Sequence, residues 1–224
     1  MKKVLGYDLT QQLKEFAFKE NRLKERIDLI RICVKTCREL TLSPPKEIDV
    51  LHTSKLVLKR DKMSRLFFFS EKKYISIVMP FEMTLKSDNT PRFHHNGKLI
   101  TSEMWSKLIE RVNFDDDGWM DEDWLFSYSL STDSYFRDFE NLYRFVCDTE
   151  YGYIRYDDDL TAYKTAKANN KGHHHPQHHC DIHLSNQSTF KIGLKGKLTE
   201  NQFIGILDNE QARWYMNTHN KVIK

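Results

Sequence analysis

The hydrophobic period changes at Ser43-Pro44-Pro45, and no other feature constrains the fold as much. Before that point, Leu23, Ile27, Ile30, Val34 and Cys37 recur at the i, i+3/i+4 spacing of a buried helical stripe. Leu29, Cys33 and Leu40 widen the stripe, so this helix is expected to be covered on more than one side. A shorter helix carrying Leu9, Leu13, Phe16 and Ala17 is expected ahead of it, capped by Asp8. The proline pair ends the helical part, because proline has no N–H to continue the ladder. Short apolar runs follow at 55–59, 65–70 and 74–79, the length of strands rather than helices. Residues 82–85 are expected to extend the same sheet, followed by a loop over 87–97 with the turn Asn96-Gly97.

Helical spacing returns at 102–112 with Met104, Trp105, Leu108 and Ile109. It returns again with Phe136, Phe139, Leu142, Tyr143 and Val146, after a strand expected at 124–130 and a cap near Thr132 or Asp133. The last third reads as a strand at 151–156, a loop at 158–172 and two strands at 178–184 and 189–194. Ser185-Asn186-Gln187-Ser188 would join those two as a hairpin. Thr199 and Gln202 have capping-box spacing and open a final helix. Strands that arrive as hairpins predict an α+β fold, an antiparallel sheet with packed helices. A helical N-terminal segment, 1–45, is expected to pack on an α+β domain, 46–224.

A hydrophobic fraction of 39% with 12% aromatic residues argues against disorder despite 30% charge. No apolar run approaches the ~20 residues of a membrane span, and Met1-Lys2-Lys3 opens no signal sequence. Cys33, Cys37, Cys147 and Cys180 form no CxxC pair. A cytoplasmic protein with reduced thiols and no membrane partner is therefore expected. Charge is uneven, with 18 Lys/Arg against 10 Asp/Glu over 1–75, 8 against 18 over 76–160 and 9 against 4 over 161–224. Such blocks can neutralise one another within one fold or across a homodimer, or leave a basic face for nucleic acid. Residues 113–124 offer Asn113, Asp115, Asp117, Gly118 and Met120 at calcium-loop positions, but Trp124 stands where the bidentate Glu is needed. An acidic surface turn fits that stretch better.

Six of the ten histidines fall within 173–183: His173, His174, His175, His178, His179 and His183. As a strand, this stretch puts His179, Asp181 and His183 on one face, with Cys180, Ile182 and Leu184 turned to the core. As a helix begun at Pro176, it aligns His175, His179 and His183. The alternating apolar residues favour the strand, and both readings align His179 with His183. Imidazoles with a carboxylate suit zinc or another divalent metal, held by His175, His179, His183 and Asp181. They equally suit metal-free acid–base work. Upstream, Tyr153, Arg155 and Asp157 share one face of an extended strand. If the two strands pair, Arg155 sits near His179 or His183, and a guanidinium with Lys191 suits a phosphate ligand.

The aromatic-Arg-Tyr-Asp strand, then His175-Pro176-x-x-His179, then a basic residue before Ile192, resembles an uncharacterised bacterial family, domain of unknown function 2290. The resemblance covers about residues 151–195 and implies that His175, His179, Arg155, Asp157 and Lys191 form one site. Proteins of this sort often belong to toxin–antitoxin or phage-defence systems. Two functions are therefore expected to compete. One is a nuclease-like enzyme acting on a nucleic acid or nucleotide phosphodiester, with His179, His183, Arg155, Asp157 and Lys191 as its catalytic group. The other is a non-catalytic partner module that docks through the basic helix at 22–38 and the acidic middle.

Overall fold

A computed structural model describes residues 3–18, 23, 25–46, 55–113, 134–185, 188–208 and 210. The architecture is α+β: six helices, a seven-stranded antiparallel sheet and a three-stranded sheet among the described residues. The large sheet comprises β1 (Lys3–Tyr7), β2 (Leu56–Arg60), β3 (Ser64–Phe69), β4 (Lys73–Val78), β8 (Ile154–Asp158), β9 (His178–Ser185) and β10 (Ser188–Leu194), in that spatial order. The small one comprises β5 (Glu82–Leu85), β6 (Pro91–His95) and β7 (Lys98–Leu99).

The helices are α1 (Gln11–Phe18), α2 (Arg26–Leu40), α3 (Ser102–Asn113), α4 (Ser134–Asp148), α5 (Leu160–Ala168) and α6 (Glu200–Leu207). α2 carries the expected stripe, with Ile30, Cys33, Val34 and Cys37 fully buried. Its start is fixed by Glu25 and Asp28, each side chain accepting from the other's backbone N–H. α2, α3 and α4 share one core with the face of the sheet that bears Leu58, Leu66, Phe68, Ile75 and Ile77. The opposite face, with Val57, Phe67, Phe69, Tyr74, Tyr156 and Cys180, packs on Phe203 and Ile204 of α6. The Thr199–Gln202 capping box opens α6 as its sequence predicts, the bonds measuring 3.2 and 2.8 Å.

Several expectations are corrected. Residues 3–7 form a strand, not part of a helical segment: they pair with β2 and bury Leu5 and Tyr7 at period two. Thr10, not Asp8, caps α1 by accepting from Leu13 N–H, while Asp8 pairs with Lys46. Residues 82–85 do not extend the large sheet but pair with β6, which lies inside the stretch read as a loop. The Asn96-Gly97 turn closes β6 on β7 with positive φ of 50° and 73° at the two residues. Within 158–172, read as a loop, lies α5, capped by Asp159 through Ala162 N–H. The strand expected at 124–130, the caps at Thr132 or Asp133, and nearly all of the acidic 113–124 stretch lie outside the described residues. Among the described residues no helix is long and apolar enough to cross a membrane.

Candidate metal centre

The candidate site grows from register. β8 and β9 pair antiparallel, with Arg155 opposite Asp181 and Asp157 opposite His179. On the far side of β9, Lys191 stands opposite Asp181 and Gly193 opposite His179. Side chains alternate across a strand, so three rows form on one face. They run Tyr153–His183–Thr189, then Arg155–Asp181–Lys191, then Asp157–His179–Gly193. β4 adds Ile75 and Lys73 to the second and third rows. This is the α2-bearing face, so the apolar core of Ile75, Ile77 and Tyr153 runs straight into a lattice of charge.

The charges are buried: Arg155 is 4% exposed, Asp157 8%, His179 1% and Asp181 3%. Arg155 Nε donates to Asp157 Oδ2 at 2.5 Å and its Nη2 donates to Asp181 Oδ2 at 2.5 Å. Lys191 Nζ lies 2.7 Å from Asp181 Oδ1, an ion contact without good hydrogen-bond alignment. Burial alone would raise the Asp157 carboxyl; the His179 contact, the Arg155 guanidinium and Lys73 outweigh it and hold it below the carboxylate range. Asp181 is likewise raised by burial but lowered further by Lys191, Arg155 and His179. Burial lowers Arg155, yet Tyr153, Asp157 and Asp181 more than restore its proton affinity. Two buried carboxylates therefore stay ionised and paired. Burial and those same carboxylates push the Cys180 thiol, on the other face, up to about 12, so it is no nucleophile.

His179 decides what this lattice can hold. Its Nδ1 lies 2.7 Å from the Pro176 carbonyl oxygen. A carbonyl only accepts, so Nδ1 carries the proton and donates. Nε2 then turns toward Asp157 Oδ2 at 3.6 Å and Asp181 Oδ2 at 4.0 Å. Asp157, His179 and Asp181 each offer a ligand atom, all within 4.8 Å of one another. At Nε2 either an N–H or a metal ion meets the two carboxylates. An N–H···O bond wants about 2.7–3.2 Å, shorter than either distance. Metal bonds of about 2.0–2.2 Å in tetrahedral geometry set donors roughly 3.3–3.6 Å apart, which fits the 3.6 Å separation, while the 4.0 Å one would have to close on binding.

The remaining histidines scatter. His175 touches the site, its ring centroid 5.0 Å from that of His179 and its Nε2 3.4 Å from Asp159 Oδ2. His183 shares the face of His179 as expected, but four residues of strand separate them by about 13 Å. It stacks instead on Tyr153, with ring centroids 4.5 Å apart, and meets Thr189 Oγ1 at 3.0 Å. It therefore shares no ligand atom's reach with His179. His178 lies on the opposite face, 3.1 Å from the Tyr156 hydroxyl. His173 and His174 touch each other at 4.1 Å between centroids, tilted by 42°, and are exposed. Leu184, expected in the core, is 63% exposed at the hairpin end.

The geometry adds Asp157 to the expected donors and leaves His175 at the rim. The acidic Asp61–Asp208–Glu210 group is different, because the buried Lys59 ammonium sits 2.8 Å from Asp61 and 2.5 Å from Asp208. A lysine already occupies its centre. Compared with family models, curated proteins and solved structures, the chain shows no match.

Proposed function

We propose that the protein is a metal-dependent, nuclease-like hydrolase of phosphodiesters in which Asp157, His179 and Asp181 hold a divalent cation. The observation that carries this is the convergence of Asp157, His179 and Asp181, whose ligand atoms lie within 4.8 Å of one another with the imidazole held by the Pro176 carbonyl. Nitrogen with two carboxylate oxygens suits zinc or manganese and leaves coordination positions open. Such an ion polarises a phosphoryl oxygen and activates bound water.

The chain's own groups divide the remaining work. Arg155 bridges the two carboxylates and fixes their separation, and the Pro176 carbonyl fixes the imidazole. His179 has neither nitrogen free for a substrate, so it positions rather than transfers protons. The proton-transfer role falls to His175, which is partly exposed at the rim and oriented by Asp159. Lys191, whose ammonium is buried against Asp181, holds that carboxylate ionised.

A second reading, a non-catalytic partner module, is favoured by one observation: Arg155 and Lys191 already neutralise both carboxylates. Elemental analysis and metal titration of protein without a purification tag separate the two. One divalent ion per chain, lost in Asp157→Asn and His179→Ala, with chelator-sensitive cleavage of a phosphodiester, is the expected result. No ion at any physiological concentration and no cleavage would leave the module.

A further inference from the structure

The end of the sheet beside this site carries more positive charge than its fold uses. Lys72 precedes β4, and Lys195 and Lys197 follow β10; Asp158 N–H bonds to the Lys72 carbonyl, and Leu194 stands opposite His178. To the same end returns the hairpin of α5 and the 3-10 turn Gly172–His174, since Asp159 N–H bonds to the Gln177 carbonyl. Lys164, Lys167 and Lys171 lie at i, i+3 and i+7 along that hairpin, all exposed.

None of these six lysines has a carboxylate within 4.0 Å among the described residues, and Lys197 reaches only the Glu71 carbonyl oxygen. Two of the acids nearby are turned to other tasks, and exposed Glu71 beside Lys72 offsets part of the charge. Asp158 accepts from Gln177 and faces His178, while Asp159 caps α5 and holds His175. Aromatic planes are interleaved with this charge. Lys167 sits over the half-buried Tyr163 ring at 5.8 Å, and the exposed His173 and His174 rings meet at 4.1 Å, tilted by 42°. Cations set among exposed rings are what a single-stranded nucleic acid needs, because its backbone meets the charge and its unpaired bases meet the rings. A membrane surface would require several apolar side chains to insert, and among the described residues Leu160 alone is an exposed large apolar residue at this end.

We infer that this basic end, formed by the α5 hairpin with Lys72, Lys195 and Lys197, is a binding surface for single-stranded nucleic acid. The inference rests on the phosphodiester reading for its purpose, and it names the substrate class: a polynucleotide strand led past His175 to the Asp157–His179–Asp181 centre.

The test is fluorescence anisotropy with labelled 12-nucleotide RNA and DNA of one sequence, in EDTA so that the metal centre plays no part. If four to six phosphates are neutralised, affinity falls with salt at a log–log slope of about 0.7 per phosphate, or roughly 50- to 300-fold from 50 to 200 mM. Lys164→Gln/Lys167→Gln/Lys195→Gln should reduce the magnitude of that slope by about 2. A control with the same charge change elsewhere, Lys14→Gln/Lys62→Gln/Lys86→Gln, should retain the wild-type slope. Binding to either strand chemistry with that contrast supports the surface, whether or not the protein binds metal or cleaves. No binding at 50 mM salt, equal loss in the control, or binding confined to phosphatidylserine vesicles overturns it, and each leaves the metal titration to be judged separately.

Discussion

Removing the Arg155 guanidinium is the most searching perturbation of this fold. Arg155→Met keeps much of the side-chain volume but leaves Asp157 and Asp181, 8% and 3% exposed, without the cation that bridges them. Breaking a buried pair from one side costs about 3–5 kcal/mol. Lys191 still faces Asp181 and Lys73 still stands beside Asp157, which places the expected loss near the lower figure. Against a total stability of roughly 5–15 kcal/mol, that is a large share. At about 2–4 °C per kcal/mol for a chain of this size, the melting temperature should fall by about 6–12 °C in EDTA. The same change removes positive charge from the cation centre, so zinc or manganese should stabilise the variant more than the wild type. An ion at 100 times its Kd returns about 2.7 kcal/mol. Thermal melts followed by circular dichroism, with EDTA and with added metal, read both effects. A variant within about 1 kcal/mol of wild type in EDTA would refute the buried-charge reasoning. A destabilised variant that no divalent ion rescues would refute the cation centre.

Two further outcomes are expected. A Cβ added at Gly193 would stand 2.7 Å from Pro176 Cγ, a rigid ring that cannot rotate away, so Gly193→Ala should displace the Pro176 carbonyl from His179. Metal affinity should then fall about 10- to 100-fold while the fold still melts cooperatively, and an unchanged affinity in isothermal titration calorimetry would contradict this. For Lys59, burial raises the Asp61 carboxyl, but the Lys59 contact, the Met63 N–H and the lysine charge together leave it lowered. A lowered folded-state carboxyl contributes stability above its unfolded value of about 3.9 and loses it as pH falls through the folded value. The gap in urea midpoint between wild type and Lys59→Met should therefore be full at pH 7 and shrink below about pH 4. A constant gap down to pH 3 would argue against the ion group.

What could be read from the sequence was local. The α2 stripe, the Asn96-Gly97 turn and the Thr199–Gln202 box depend on residues within a few positions of one another, and each is realised. α5 escaped because none of its residues is buried, so it has no apolar stripe; its signal was the Asp159 cap before an Ala-rich run. β1 escaped because five residues of alternation ahead of a helix gain meaning only when β2, about fifty residues later, supplies the partner. At the site, the shared face of His179, Asp181 and His183 follows from period two alone. Register does not, and register is what sets Asp157 opposite His179 and Arg155 opposite Asp181. The distance along β9 then excludes His183, a consequence of strand rise that face assignment ignores.

The lattice is a poor way to obtain stability alone. On this face Ile75, Ile77 and Tyr153 show what the core elsewhere accepts, and in the row of Ile75 itself Arg155, Asp181 and Lys191 take the place of such residues. Replacing a buried ion group by apolar residues of similar volume is often neutral or stabilising by about 1–4 kcal/mol. Lys59 with Asp61 and Asp208 shows the contrast: there an ammonium takes the centre itself and the group is closed. In the Asp157–His179–Asp181 group Arg155 bridges Asp157 Oδ2 and Asp181 Oδ2 and Lys191 meets Asp181 Oδ1, while His179 Nε2 faces the same two Oδ2 atoms at 3.6 and 4.0 Å, beyond hydrogen-bond length. An imidazole donor held beside the carboxylates is what the Lys59 group lacks, and it is the physical ground for assigning an exogenous ion to one cluster and none to the other.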